Sequence, residues 1–170
     1  MSGSKIIVRD AKREDVPQIM ALIRELAEFE KMPEAVKINE EILEKDGFDT
    51  NPPPFVAYVV EDSDNPGVLI GYALCNLGYA TWLGKRFYIE DIMVTDKYRG
   101  AGVGTKLFSY VCKEALRLGC VVINFVMIDW NPAAKFYKKM GAIDTTEKIG
   151  WHWNVINKAD MENVAAQYEE

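Results

Sequence analysis

Two short stretches carry residue types that could do chemistry. The first is Tyr88-Ile89-Glu90-Asp91-Ile92-Met93-Val94, which sets two adjacent acids inside an apolar run. The second follows closely: Arg99-Gly100-Ala101-Gly102-Val103-Gly104, leading through Thr105 into a segment of helical periodicity over 105–118. A carboxylate within an apolar strand is costly unless something offsets its charge. Adjacent residues of a regular strand point to opposite faces, so Glu90 and Asp91 share a surface only if a bulge intervenes. Glycines at alternate positions before a helix let the backbone come close to a ligand, and the free amides at the helix start point outward. With Arg99 beside them they form a nest for phosphates, well suited to a pyrophosphate. A dinucleotide-binding fold would place such a turn after the first strand, with an acid about twenty residues further on. Here the turn lies in mid-chain.

Hydrophobic periodicity supplies the elements that must position these residues. Residues 5–9 read as a first strand. Asp15 is placed as the N-cap of a helix, with Pro17 in its first turn and Gln18 completing a capping-box spacing. The helix buries Val16, Ile19, Met20, Ile23, Leu26 and Ala27, and Pro33 ends it. Asn39 caps a second helix with Ile42 and Leu43, and Gly47 is placed to stop it. Residues 55–61 and 68–77, joined by the turn 62–67, predict an antiparallel hairpin. A loop follows over 78–85, then the acid-bearing strand 86–94. The helix after the glycine turn buries Leu107, Val111, Ala115 and Leu118 and ends at Gly119. Residues 121–128 then form an apolar strand, so the unit is β-α-β and favours parallel pairing. Asn131 caps a short helix through Lys139, closed by Gly141. Residues 143–147 and 151–157 predict a closing antiparallel pair, and 158–168 a terminal helix or tail. No repeat or linker divides the chain, so residues 1–170 read as one α/β domain with a mixed sheet.

Composition narrows the classes further. The chain has 170 residues, with 49% hydrophobic and 27% charged, an ordinary globular mixture large enough for one core. A net charge of −6 argues against nucleic acid, whose phosphates demand basic patches, and is compatible with a cationic substrate. No apolar run is long enough to span a membrane, and no signal peptide is visible. Cys75, Cys112 and Cys120 lack metal or redox spacing and fit packing roles in a reducing cytoplasm. His152 is the only histidine, and no elbow motif surrounds a Ser or Cys, which disfavours a histidine-activated nucleophile.

The pattern Arg99-x-x-Gly102-x-Gly104 resembles the acetyl-CoA signature of the GNAT N-acetyltransferase superfamily, and the element order around it matches too. Further blocks resemble the spermidine/spermine and thialysine acetyltransferases: residues 24–30 (Arg-Glu-Leu-Ala-Glu-Phe-Glu), Asp46-Gly47-Phe48, Trp82-x-Gly84, Tyr88-Ile89-Glu90-Asp91, Asp129-Trp130-Asn131, Phe136-Tyr137-Lys138 and Gly150-Trp151. They cover nearly the whole chain. The resemblance implies a mostly antiparallel mixed sheet flanked by helices, with a parallel pair of strands splayed apart. Acetyl-CoA would be the co-substrate, with no metal. Its contacts would be the backbone of Ile92, Met93 and Val94, the turn of Arg99, Gly100, Ala101, Gly102, Val103, Gly104 and Thr105, and Asn131 and Ala134. The segment before Tyr137 is one residue shorter than the usual family spacing.

The same resemblance implies the catalytic pair. Glu90 would bind the substrate amine and serve, directly or through water, as its base. An aliphatic amine titrates at about 10.4, so it arrives protonated and must lose a proton before it can attack a thioester. Tyr137 would protonate the departing thiolate. Phe29, Glu30, Trp82, Asp91, Asn124, Phe125 and Val126 would complete the amine pocket. Two positions that are acidic in polyamine acetylators are Ala80 and Ile149 here, which favours a shorter amine such as thialysine or lysine over spermidine or spermine. The alternatives are a diamine or polyamine acetyltransferase, a peptide acetylator and a non-catalytic acetyl-CoA-binding protein. A homodimer is implied, with residues 151–156 apolar enough for an interface.

Overall fold

A computed structural model describes residues 6–168. Lys5, at the start of the expected first strand, lies outside the described residues. The chain forms two compact units, one ending at Ile128 and the other beginning at Asp129.

The first unit is built on a five-stranded sheet in the order β1-β2-β3-β4-β5. Its strands are β1 (Ile6–Asp10), β2 (Val56–Asp62), β3 (Leu69–Ala80), β4 (Gly84–Val94) and β5 (Val122–Asn124). The first four form an antiparallel meander, and β4 pairs with β5 in parallel. The crossover between that pair is α3 (Val103–Arg117), the β-α-β unit expected from the sequence.

Helices cover both faces. α1 (Val16–Phe29) and α2 (Glu40–Glu44) lie on one. There Val16, Ile19, Met20, Leu22 and Ile23 pack with Leu43, Val59, Leu69, Tyr72 and Met93. Strand alternation sends Tyr58 to the opposite face, where its ring meets Tyr110 of α3 edge-on, with centroids 5.3 Å apart. Among the described residues no helix is long and apolar enough to cross a membrane.

Several elements differ from the sequence expectation. The loop expected over 78–85 is mostly strand. β3 runs to Ala80 and β4 starts at Gly84, leaving three residues at the tip, where the Leu83 amide donates to Ala80 O. Asp15 stands at the N-cap position of α1 but bonds none of that helix's amides; its buried carboxylate turns back to the Lys12 amide and to Arg9. Gln18 stays in α1, but its side chain makes no capping bond and instead bridges Gly67 O and the Leu69 amide. Gly47 does not stop α2, because a π-helical turn (Lys45–Asp49) continues through it. A Cβ there would come within 2.7 Å of the Phe55 ring, so close packing explains this glycine. Asn39 does cap α2, accepting from the Ile42 amide at 2.9 Å.

The second unit contains α4 (Ala134–Lys139), α5 (Thr145–Ile149) and α6 (Lys158–Ala165). Asn131 does not cap α4; its Oδ1 accepts from the Ala133 amide, two residues on. The expected closing strand pair is absent from the described residues. Asp144 Oδ1 takes the amides of Thr146 and Glu147 and starts α5, which Gly150 closes at φ 75°. That strong pair of caps overrides the β-propensity of the intervening Thr and Ile residues.

Candidate active site

β5 pairs with β4 only from Arg86 to Tyr88. β4 runs on to Val94, where among the described residues β3 is the only strand paired with it. Past Tyr88 the parallel pair therefore separates, and one edge of β4 carries no strand where Glu90, Asp91, Ile92, Met93 and Val94 lie. Asn124 ends β5, and Phe125 and Val126 follow without regular structure.

A bulge lies at the acids. Leu74 pairs with Asp91 and Cys75 with Ile89, so Glu90 is the extra residue. This is the bulge that two adjacent acids require if they are to share a surface. Asp91 is two residues from core-facing Met93 and so faces α1. Its Oδ2 accepts from the Tyr72 hydroxyl at 2.9 Å. Burial raises Asp91 above the usual carboxylate range, and the Tyr72 hydrogen bond opposes that rise. Burial, then the charge of Asp91, raises Glu90 and Glu30 as well. Glu30, at the C-terminal end of α1, thus lies within electrostatic reach of Asp91 on β4. Among the described residues none of the three carboxylates forms an ion pair. Trp82 stands at the β3–β4 tip, 84% exposed.

The glycine turn is held from below. Asp62, 2% exposed, accepts from the Asn65 side chain, the Tyr98 hydroxyl and the Asp64 amide, which hold it below the usual range. Tyr98 thereby anchors a short 3₁₀ turn (Asp96–Tyr98) directly before Arg99. Gly100 and Gly102 adopt φ of 76° and 84°, the left-handed region glycine enters without strain. Buried Val103 fixes the start of α3 in the core. No side chain caps α3, and its first intrahelical bond is donated by Lys106 to Gly102 O. The amides of Val103, Gly104 and Thr105 precede that bond and form the anion-receptive end of the helix.

Gly104 is helical and has no positive φ, and a Cβ added to it would meet nothing within 4 Å. Neither conformation nor packing calls for glycine there, whereas close approach of a ligand does. The residues present therefore fit a pyrophosphate. Arg99 is directed elsewhere than the glycines. Its Nε donates to Val94 O at 2.9 Å, its Nη1 reaches Asp96 at 3.4 Å, and its guanidinium lies 5.0 Å over the Phe29 ring. It ties the end of β4 to the end of α1.

Tyr137, Asn131 and Ala134 belong to the second unit. Tyr137 lies in α4, half-buried, with its ring edge-on to Phe136 at 5.2 Å. Sequence reasoning missed Tyr72 and Tyr98. Only the strand register brings the first to Asp91 and only the tertiary fold brings the second to Asp62, so spacing along the chain carried no signal for either.

Residues 17–142 match the acetyltransferase (GNAT) family. The thialysine N-epsilon-acetyltransferase of Sus scrofa is 43% identical over 155 residues, 88% of this chain and 91% of that protein. The enzyme of the same name from Mus musculus is 45% identical over 150 residues, 85% and 88% of the two chains. Among solved structures, an integron cassette protein from the mobile metagenome of V. cholerae superposes with a TM-score of 0.73 at 18% identity, covering 96% of this chain and 99% of that one, a likeness of fold. GNAT acetyltransferases use acetyl-CoA as co-substrate. The chain belongs to the GNAT family of acetyltransferases and is an N-acetyltransferase.

Proposed function

We propose that this enzyme transfers the acetyl group of acetyl-CoA to a primary amine of a small aliphatic substrate, thialysine- or lysine-like by preference, by direct attack within a ternary complex. The observation that carries this reading is the bulge at Glu90. It sets two acids, neither in an ion pair among the described residues, on the strand that leads into a glycine cradle. Identity of 43% and 45% to enzymes named for thialysine supports the choice of amine.

Acetyl-CoA supplies an activated thioester. The amides from Gly100 to Thr105 would receive its pyrophosphate, with Arg99, Ala101 and Val103 shaping the turn. Backbone groups of Ile92, Met93 and Val94 on the open edge would hold its pantetheine arm, and the family resemblance adds Asn131 and Ala134 to the residues that would contact it. Glu90 attracts the ammonium and then accepts or relays its proton; a carboxyl raised toward neutral pH is better matched to that task. Glu30 and Asp91 add negative charge beside it, and Phe29, Trp82, Asn124, Phe125 and Val126 complete the pocket. Tyr137 donates a proton to the leaving thiolate.

The whole chain of 170 residues would serve as one catalytic domain. Trp151, Trp153, Val155 and Ile156 are 55–77% exposed, an apolar stretch suited to a second copy of the chain in a homodimer. Free cysteines fit a cytoplasmic setting.

The test is a turnover screen with acetyl-CoA over thialysine, lysine, short diamines, spermidine and spermine. Thialysine or lysine should show the highest kcat/KM. Preference for spermidine or spermine would replace the substrate assignment, and tight acetyl-CoA binding without turnover on any amine would overturn the reading.

A further inference from the structure

We propose that Tyr72 is a positioning residue of this site, whose hydroxyl fixes the Asp91 carboxylate as the seat for the ammonium of the amine substrate. The inference rests on the amine-acetylating function proposed above.

The strand register makes the contact. Tyr72 pairs with Met93, so Asp91, two residues earlier on β4, is its diagonal neighbour on the same face. An aromatic side chain spans that diagonal, and its hydroxyl reaches Asp91 Oδ2 at 2.9 Å. The ring is fully buried among Val16, Ile19, Met20 and Met93. A phenylalanine would fill that apolar space equally well. The hydroxyl is therefore not called for by core packing, and its hydrogen-bond partner is a carboxylate at the bulge. Beyond this contact the ladder slips and Glu90 becomes the extra residue. Tyr72 thus pins the regular side of the bulge and leaves Glu90 projecting beside a fixed Asp91.

The surroundings explain why the carboxylate needs holding. Tyr72 faces it from β3, Tyr88 and Glu90 lie beside it on its own strand, Glu30 approaches from the end of α1, and Cys75 lies nearby on the other face of β3. All are acids or neutral donors. Burial and Asp91 together push the Cys75 thiol up to about 12, so it stays neutral. Arg99, stacked on Phe29 next to Glu30, is engaged with Val94 O and Asp96. In this setting the Tyr72 hydroxyl is the donor that opposes the rise burial imposes on Asp91 and keeps its carboxylate aimed until a substrate cation arrives.

The test combines Y72F, D91N and the double variant, with kcat/KM for thialysine measured from pH 5.5 to 9.5. Losing a hydrogen bond to a charged group raises the acceptor's pKa by about one unit or slightly more. In Y72F the acidic limb should move up by about one unit. Activity should then fall about tenfold at the acidic end and return to within about twofold of the parent at the alkaline end. Adding Y72F to D91N should change nothing further. An equal loss at every pH, an unmoved limb, or the same loss in the D91N background would overturn the proposal. A carboxyl-carbon NMR titration of Asp91 in the parent and Y72F proteins separates this from failure of the proposed function. If the parent acetylates no amine, an Asp91 midpoint that rises in Y72F and a carboxyl signal that shifts on adding thialysine still support the seat. An unmoved midpoint, or no response to thialysine, overturns it.

Discussion

Gly104→Ala should make the protein more stable and a poorer binder of acetyl-CoA. Gly104 lies in the first turn of α3 with helical backbone angles, and a Cβ there would meet nothing within 4 Å. Glycine in a helix costs about 0.5–1 kcal/mol relative to alanine, and a first-turn site takes the lower figure. For a chain of this size that raises Tm by about 1–2 °C. The new methyl would occupy the space a pyrophosphate needs for close backbone approach. Overpacking of this kind costs about 1–3 kcal/mol, a weakening of about 5- to 150-fold. Gly102→Ala is the control. Its φ of 84° would strain an alanine by about 1–2 kcal/mol, lowering Tm by about 2–8 °C whether or not a ligand binds. Calorimetry without ligand gives the Tm values and isothermal titration gives the affinities. A more stable G104A protein that binds acetyl-CoA as tightly as the parent would refute the assignment of the cradle. A destabilised G104A protein would show that the fold itself requires this glycine.

Glu90→Gln should lower kcat/KM by about 10²–10⁴-fold. It should also abolish the acidic limb set by Glu90, whose raised pKa makes the parent lose activity as pH falls through it; an unchanged pH–rate profile would remove Glu90 from the chemistry. Tyr137→Phe should lose most of its kcat with acetyl-CoA affinity unchanged, as measured by steady-state kinetics and titration calorimetry, and full retained activity would exclude it as the acid. Burial pushes Asp15 up, but Arg9 and the Lys12 amide hold it below its usual range. Its stabilising contribution is therefore complete above the unfolded value of about 3.9 and is lost as pH falls through the folded one. Asp15→Asn should accordingly cost about 1–3 kcal/mol at pH 7 and little at the lowest pH where the protein still folds, read from urea midpoints. Trp153→Lys should leave a monomer in sedimentation if residues 151–156 seat a second copy.

The elements that local pattern determines were legible in the sequence. The α1 stripe of Val16, Ile19, Met20 and Ile23, the Asn39 cap and the β-α-β unit around the glycine turn all depend on spacing within one turn or one strand. What escaped depends on distant partners. Asp15 has the type and place of an N-cap, but Arg9 and Lys12 offer its carboxylate better donors once β1 is in the sheet. The β3–β4 ladder extends through Gly78 and Ala80, which no propensity favours, because pairing with Arg86 and Gly84 satisfies their backbone groups. Residues 121–128 are apolar enough for a long strand, yet β5 stops at Asn124. The separation of β4 and β5 is a property of the pair, and neither strand's sequence records it.

Carboxylates of this protein divide by environment, and that division sets the acids proposed for the amine site apart from those that tie the fold. Asp15, Glu61 and Asp62 each accept hydrogen bonds from within the fold and are held below their usual range. They join β1 to α1, the β2–β3 turn to Arg9, and the glycine turn to the sheet. Glu30, Glu90 and Asp91 are shifted the other way, by burial first, and form no ion pair among the described residues. A fold selected only for stability gains nothing from three such groups. Each binds more protons folded than unfolded, so together they make stability fall as pH rises from about 4 through their folded values. A cation from outside the chain reverses that cost, and the ammonium of an amine substrate is such a cation. The same three positions that weaken the empty fold would therefore contribute most to binding the acceptor. Removing their charge should trade activity for stability, whereas removing that of Asp15 or Asp62 should lower both.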